Sequence, residues 1–122
     1  MTVIRYDETR RHETPAGVTT TLCSPTLGGA SRPVWRVEMS GGSAGPVHTI
    51  DTEQIWTVLS GGASVRLDGT DVRLDAGDTL ILVADAERQV TASAGGLTAI
   101  VTSAAGSMAT AGGNRIQPPW TA

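Results

Sequence analysis

The chain has 122 residues, enough for one domain whose single core hides roughly two thirds of the unfolded surface. A net charge of -3, with no stretch that interleaves arginines and aromatics, leaves no footprint for a phosphate backbone and excludes nucleic acid as a partner. All nine basic residues are arginine, which rules out Schiff-base chemistry and lysine general bases.

No window approaches the roughly eighteen apolar residues of a membrane span, and the opening "MTVIRYDETRRHE" lacks the apolar centre of a signal peptide. The expectation is therefore a cytoplasmic protein with no membrane partner. Cys23 is the one cysteine, so no internal disulfide forms, and it reads as ordinary packing in a reducing compartment. Abundant Ala, Gly, Thr, Asp and Arg with no Lys or Phe suggest a high-GC coding bias of actinobacterial type.

In chain order, residues 1–16 read as an N-terminal arm in which His12, beside Arg10, Arg11 and Glu13, is solvated. From 17 to 102 short apolar runs alternate with glycine-rich turns: "VWRVEM", "QIWTVL", "ASVRL", "DVRL", "DTLILVA", "RQVTA" and "LTAIV". Trp35, Val37 and Met39 alternate with Arg36 and Glu38, the period-two pattern of half-buried strands, and this puts Arg36 and Glu38 on the solvated face. Turns are predicted at 40–46, 60–62, 67–71 with its Asp-Gly hairpin signal, 75–78 and 93–96. No stretch predicts a helix. Residues 103–115, small and without a period, read as a mobile loop before an extended "IQPPWTA" tail that brings Trp120 back as a lid. Closing so many short strands on themselves removes exposed edges, so the predicted class is all-β, a barrel or double-sheet jelly roll, in one domain over 1–122.

Residues 34–102 resemble the small single-domain cupins, of the RmlC-like cupin superfamily, whose first motif is G-x5-H-x-H-x3-E-x6-G. His48 falls on its first histidine, Ile50 on the second, Gln54 on the glutamate and Gly61 on the closing glycine. In "LDAGDTLILVADAERQV" Gly77 and Asp78 match the turn of the second motif, and Arg88 falls on its histidine. The resemblance implies a double-stranded β-helix with degenerate metal-binding motifs, and commonly a homodimer. Only His48 and Gln54 remain as ligands, and an arginine at about 4 Å from a dication costs roughly 8 kcal/mol at an effective dielectric near 20. Loss of the metal is the favoured reading, so no cofactor is expected. The alternative is a metal-dependent oxygenase in which Arg88 points elsewhere and Glu53 or His12 is recruited.

Alternation places His48, Ile50, Gln54, Trp56 and Val58 on one parity, which the family likeness turns inward. Imidazole, amide and guanidinium would then stand among Trp35, Val37, Met39, Ile50 and Trp56, with Trp120 closing over them, a small-molecule pocket. His48, Gln54 and Arg88 are the predicted catalytic groups: His48 as general acid or base, Arg88 on a carboxylate, enolate or carbonyl oxygen, Gln54 orienting imidazole or substrate. Isomerase, cyclase or lyase chemistry fits. Arg88 beside His48 should lower the imidazole pKa. In blander readings His48 is a hydrogen-bonded remnant, Arg88 pairs with Glu87 or Asp85, and the tryptophans only fill the core. A competing function is a non-catalytic sensor or carrier that binds a small molecule.

Overall fold

A computed structural model describes residues 1–122, and ten strands account for most of them. β1 (Arg10–Thr14) and β2 (Gly17–Cys23) form a hairpin, β2 pairs with β3 (Val34–Met39), and β3 pairs with β8 (Arg88–Ser103). β8 in turn lies along β5 (Gln54–Leu67), which carries β7 (Thr79–Leu82) beside its first half and β6 (Thr70–Asp75) beside its second. A smaller sheet joins β4 (Thr49–Ile50), β9 (Ala109–Ala111) and β10 (Asn114–Ile116). All named pairings are antiparallel. No helix is long and apolar enough to cross a membrane.

The alternation read from the sequence sets the faces. Trp35 faces Val101, Val37 faces Ala99 and Met39 faces Leu97, while Val58 faces Ala99 from the other side of β8. These side chains are buried together in one core with Val65, Leu74, Leu82 and Val90. Arg36 and Glu38 point outward and pair with each other at 3.0 Å. Asp68 and Gly69, at φ 47° and 82°, make the two-residue turn between Leu67 and Thr70. Asp-Gly tolerates positive φ at both positions, and the resulting twist matches that of the strands it joins.

Several boundaries differ from the sequence reading. Residues 60–62 are not a turn: β5 runs through them with two register shifts, and β8 runs likewise through 93–96. Glycine marks a strand bulge as readily as a chain reversal. Gly61, at φ +68°, is held where a Cβ would stand 1.9 Å from the Gly96 carbonyl oxygen. Gly61→Ala is expected to lose about 2–4 kcal/mol of stability in chemical denaturation, from positive-φ strain plus a backbone clash.

Residues 10–14 of the arm likewise belong to the sheet, because β1 pairs along its whole length with β2. Nor is 103–115 a featureless loop. Ala111 and Asn114 close a hairpin around Gly112 and Gly113, at φ 55° and 84°, and β9 docks on β4. The tail ends in a 3-10 turn, Pro119–Thr121, whose Trp120 carbonyl accepts the Thr21 hydroxyl at 2.7 Å.

Candidate functional site

One end of the barrel holds a cavity of about 630 Å³. Its walls come from the inward faces of β3 and β5, the β1–β2 hairpin, the segment before β4, and the β9–β10 hairpin with the tail. Trp35, Val37, Met39, Ile50, Trp56 and Trp120 all line it, as do His48 and Gln54. The hairpin residues Thr14 to Gly17, Thr19, and Ala109, Ala111, Asn114 and Ile116 of the small sheet were missed from sequence. The parity of Thr19, opposite Val37, was the available signal.

His48 stands opposite Arg88 in an isolated bridge, with His48 N donating to Arg88 O at 3.0 Å and Arg88 N to His48 O at 2.9 Å. Directly opposed residues of an antiparallel pair share a face, so both side chains turn inward. The His48 Nδ1 lies 2.9 Å from the Pro46 carbonyl oxygen. A carbonyl only accepts, so Nδ1 carries the proton and the neutral ring keeps its basic lone pair on Nε2, which has no protein partner. Burial, first, pushes the imidazole below its ordinary 6.5; the bond to Pro46 opposes this, and the Arg88 charge adds a smaller downward push. Arg88 therefore acts in the direction expected from sequence, but desolvation is the larger cause.

The folded imidazole thus holds its proton less well than the unfolded one. Between its folded pKa and 6.5 the unfolded chain binds more protons, so stability rises with pH there and is lost as pH falls through that interval. Urea unfolding measured across this range should show that acid loss in the parent chain and a flatter profile in His48→Gln.

Arg88 is 1% exposed, yet it does not line the cavity. Its Nε and Nη2 donate to the Ala86 carbonyl at 3.1 and 3.0 Å, and Nη2 also reaches the Val83 carbonyl at 3.0 Å. The sequence reading had the guanidinium meeting a ligand oxygen; in the structure the chain before β8 folds back over it, and its Nε and Nη2 donors meet these carbonyls. The alternative pairing with Glu87 or Asp85 also fails to form, since no salt bridge includes Arg88. Burial lowers its pKa, and the charges of Asp68 and Asp85 work against that.

Arg88 Nη1 and Trp56 Nε1 both approach Gln54 Oε1, each at 3.4 Å. Both are donors, so the amide oxygen must face them, and Gln54 Nε2 is left as a donor without a protein acceptor. Arg88 and Gln54 are thus coupled to each other, whereas the sequence reading had Gln54 orient imidazole or substrate and Arg88 bind a ligand oxygen. His12 departs from its predicted setting: it faces Thr19 across β1 and β2, its ring lies 6.4 Å from that of Trp120, and its Nδ1 is buried without a partner.

No protein-family model matches the chain. No curated protein matches it by sequence. Solved structures do match in shape. An RmlC-like cupin from Shewanella frigidimarina superposes with a TM-score of 0.71 at 18% identity, over 84% of this chain and 88% of that one. The chain has the cupin fold. Salicylate 1,2-dioxygenase from Pseudoaminobacter salicylatoxidans, solved as gentisate adducts, shares the cupin core at a TM-score of 0.73 and 15% identity, over 86% of this chain and 31% of that one. Oxalate decarboxylase does so at 0.75 and 11%, over 83% of this chain and 28% of that one. The chain spans less than a third of the length of these two enzymes.

A metal of the kind implied by the cupin resemblance does not fit the residues present. No three His, Cys, Asp or Glu side chains come together anywhere in the chain. At the motif positions His48 is accompanied by Ile50, by an amide whose oxygen is already engaged, and by a buried cation. One imidazole leaves a divalent ion almost wholly hydrated.

Proposed function

We propose that this cupin-fold chain acts on a small organic molecule by metal-independent proton transfer, as an isomerase, cyclase or lyase, with His48 as the acid–base group. The observation that carries the reading is the pair of unpartnered nitrogens on one cavity wall: a basic His48 Nε2 and a donating Gln54 Nε2. In the simplest such step Nε2 takes a proton from a carbon next to a carbonyl. The C–H electrons form the enolate, whose oxygen accepts the Gln54 N–H, and the imidazolium returns the proton to the same or a conjugated carbon. Arg88 is a positioning residue here, holding the Gln54 amide in the one orientation that presents its donor.

The test is solvent exchange. In deuterated buffer near neutral pH the protein should speed deuterium uptake into the acetyl group of 2-acetylnaphthalene over the buffer rate, read by mass spectrometry. A rate no faster than buffer, with the ketone bound, would remove the proposal.

A sensor or carrier function keeps some support from the cavity itself, which holds one titratable side chain and is closed on one side by the anchored Trp120 segment. A bound natural ligand recovered chemically unchanged after incubation would favour it. The outward face also leaves Leu59, Ile81 and Val83 exposed on and beside β5 and β7, a surface that supports the homodimer reading. Sedimentation at micromolar concentration decides that. The single Cys23 supports a reducing, cytoplasmic setting.

A further inference from the structure

The cavity wall contains no Asp, Glu or Arg, and its one titratable residue is His48. The chain has no lysine to supply a cation from the rim. Arg88, the one arginine inside the barrel, has its Nε and Nη2 donors on the Val83 and Ala86 carbonyls and an Nη1 donor on Gln54. The other polar groups on the wall, among them Thr14, Thr19 and Asn114, are uncharged. An ionised ligand entering here would leave water without an opposite charge to meet it, and burial of an unpaired ion is strongly unfavourable.

Resting on the cavity as the working site proposed above, we infer that its ligand is an uncharged, largely aromatic or alicyclic molecule of about two or three fused rings, carrying a hydroxyl or carbonyl group. The volume of about 630 Å³ lies in the range that encloses drug-sized molecules. Trp35, Trp56 and Trp120, with Met39, Val37 and Ile50, supply the flat and polarisable walls that ring systems pack against. Two of the open polar contacts, beside the unpartnered hydroxyl of Thr19, are complementary to a neutral oxygenated ligand. Nε2 of His48 accepts from a hydroxyl or an acidic C–H, and Nε2 of Gln54 donates to a carbonyl. Carboxylates, such as the gentisate of the structurally similar dioxygenase, are the class this wall rejects.

Calorimetric titration of the intact chain near neutral pH, with four probes sharing one ring system, tests this. 2-Naphthol and 2-acetylnaphthalene should bind, whereas 2-naphthoate and 2-naphthylmethylammonium should bind at least about tenfold more weakly, because only they bring a charge. Phenol should also bind about tenfold more weakly than 2-naphthol, since it leaves most of the apolar wall uncovered. Naphthoate or the ammonium binding as tightly as 2-naphthol overturns the inference, and so does failure of all four probes to bind. Neutral probes that bind without solvent exchange would sink the proton-transfer reading alone. A carboxylate that binds best would sink the neutrality of the ligand and leave His48 untouched.

Discussion

His48→Gln is expected to slow solvent exchange into a bound ketone by about 10²–10⁴-fold, the usual range for loss of a positioned acid–base group. Glutamine keeps a donor for the Pro46 carbonyl, which His48 Nδ1 meets at 2.9 Å, but it has no group that titrates near neutrality. In the parent chain the rate should fall on the acid side with a midpoint below 6.5, because burial and the Arg88 charge disfavour the imidazolium. The variant should lose that limb. Its melting temperature above pH 7, and its affinity for 2-acetylnaphthalene, whose carbonyl meets the intact Gln54, within about threefold of the parent, are the controls that separate chemistry from folding. Retention of both rate and limb would mean that some other group moves the proton.

Arg88→Ala should destabilise the fold by about 3–5 kcal/mol, because it opens a void in the barrel and strips the buried Ala86 carbonyl of its charged donors. For a chain of this size that corresponds to a fall in melting temperature of roughly 10–20 °C. Arg88→Met, which refills most of the volume, should recover part of the loss but not the hydrogen bonds. The same Met variant distinguishes two roles. As a positioning residue, Arg88 leaves the affinity for 2-naphthol, whose hydroxyl meets His48, nearly unchanged while exchange into the ketone slows, since the Gln54 amide is then free to turn. An arginine in contact with ligand would instead show its loss mainly in affinity.

What could be read from the letters was what local physics determines. Trp35, Val37 and Met39 declare their face by alternation, and Asp68-Gly69 declares its hairpin because few other pairs accept positive φ twice. Gly61-Gly62 was ambiguous because the signal for reversing a chain and for bending one within a sheet is the same glycine. Gly112-Gly113 lacked apolar alternation on its flanks, and the hairpin it closes is defined by contact with β4, some sixty residues upstream. The site divided similarly. His48, Gln54 and the apolar walls followed from strand parity and family resemblance. The direction of the Arg88 side chain did not, because a long flexible arginine is aimed by whichever carbonyls fold over it, here those of Val83 and Ala86. His12 looked solvated among its charged neighbours, and only its pairing with Thr19 shows the ring turned toward Trp120.

The small sheet has a kinetic consequence. β9 and β10 are held to the rest of the barrel by two register pairs on β4, by Asp51 contacts to Met108 N and Arg115, and by little else of regular structure. Segments so lightly tethered unlatch far more often than a whole barrel unfolds, and their amides should exchange with solvent sooner than those of β5 and β8. Since Ala109, Ala111, Asn114 and Ile116 form part of the cavity wall, each such excursion is a doorway, and the frequency of opening sets an upper bound on how fast a guest can come and go by that route.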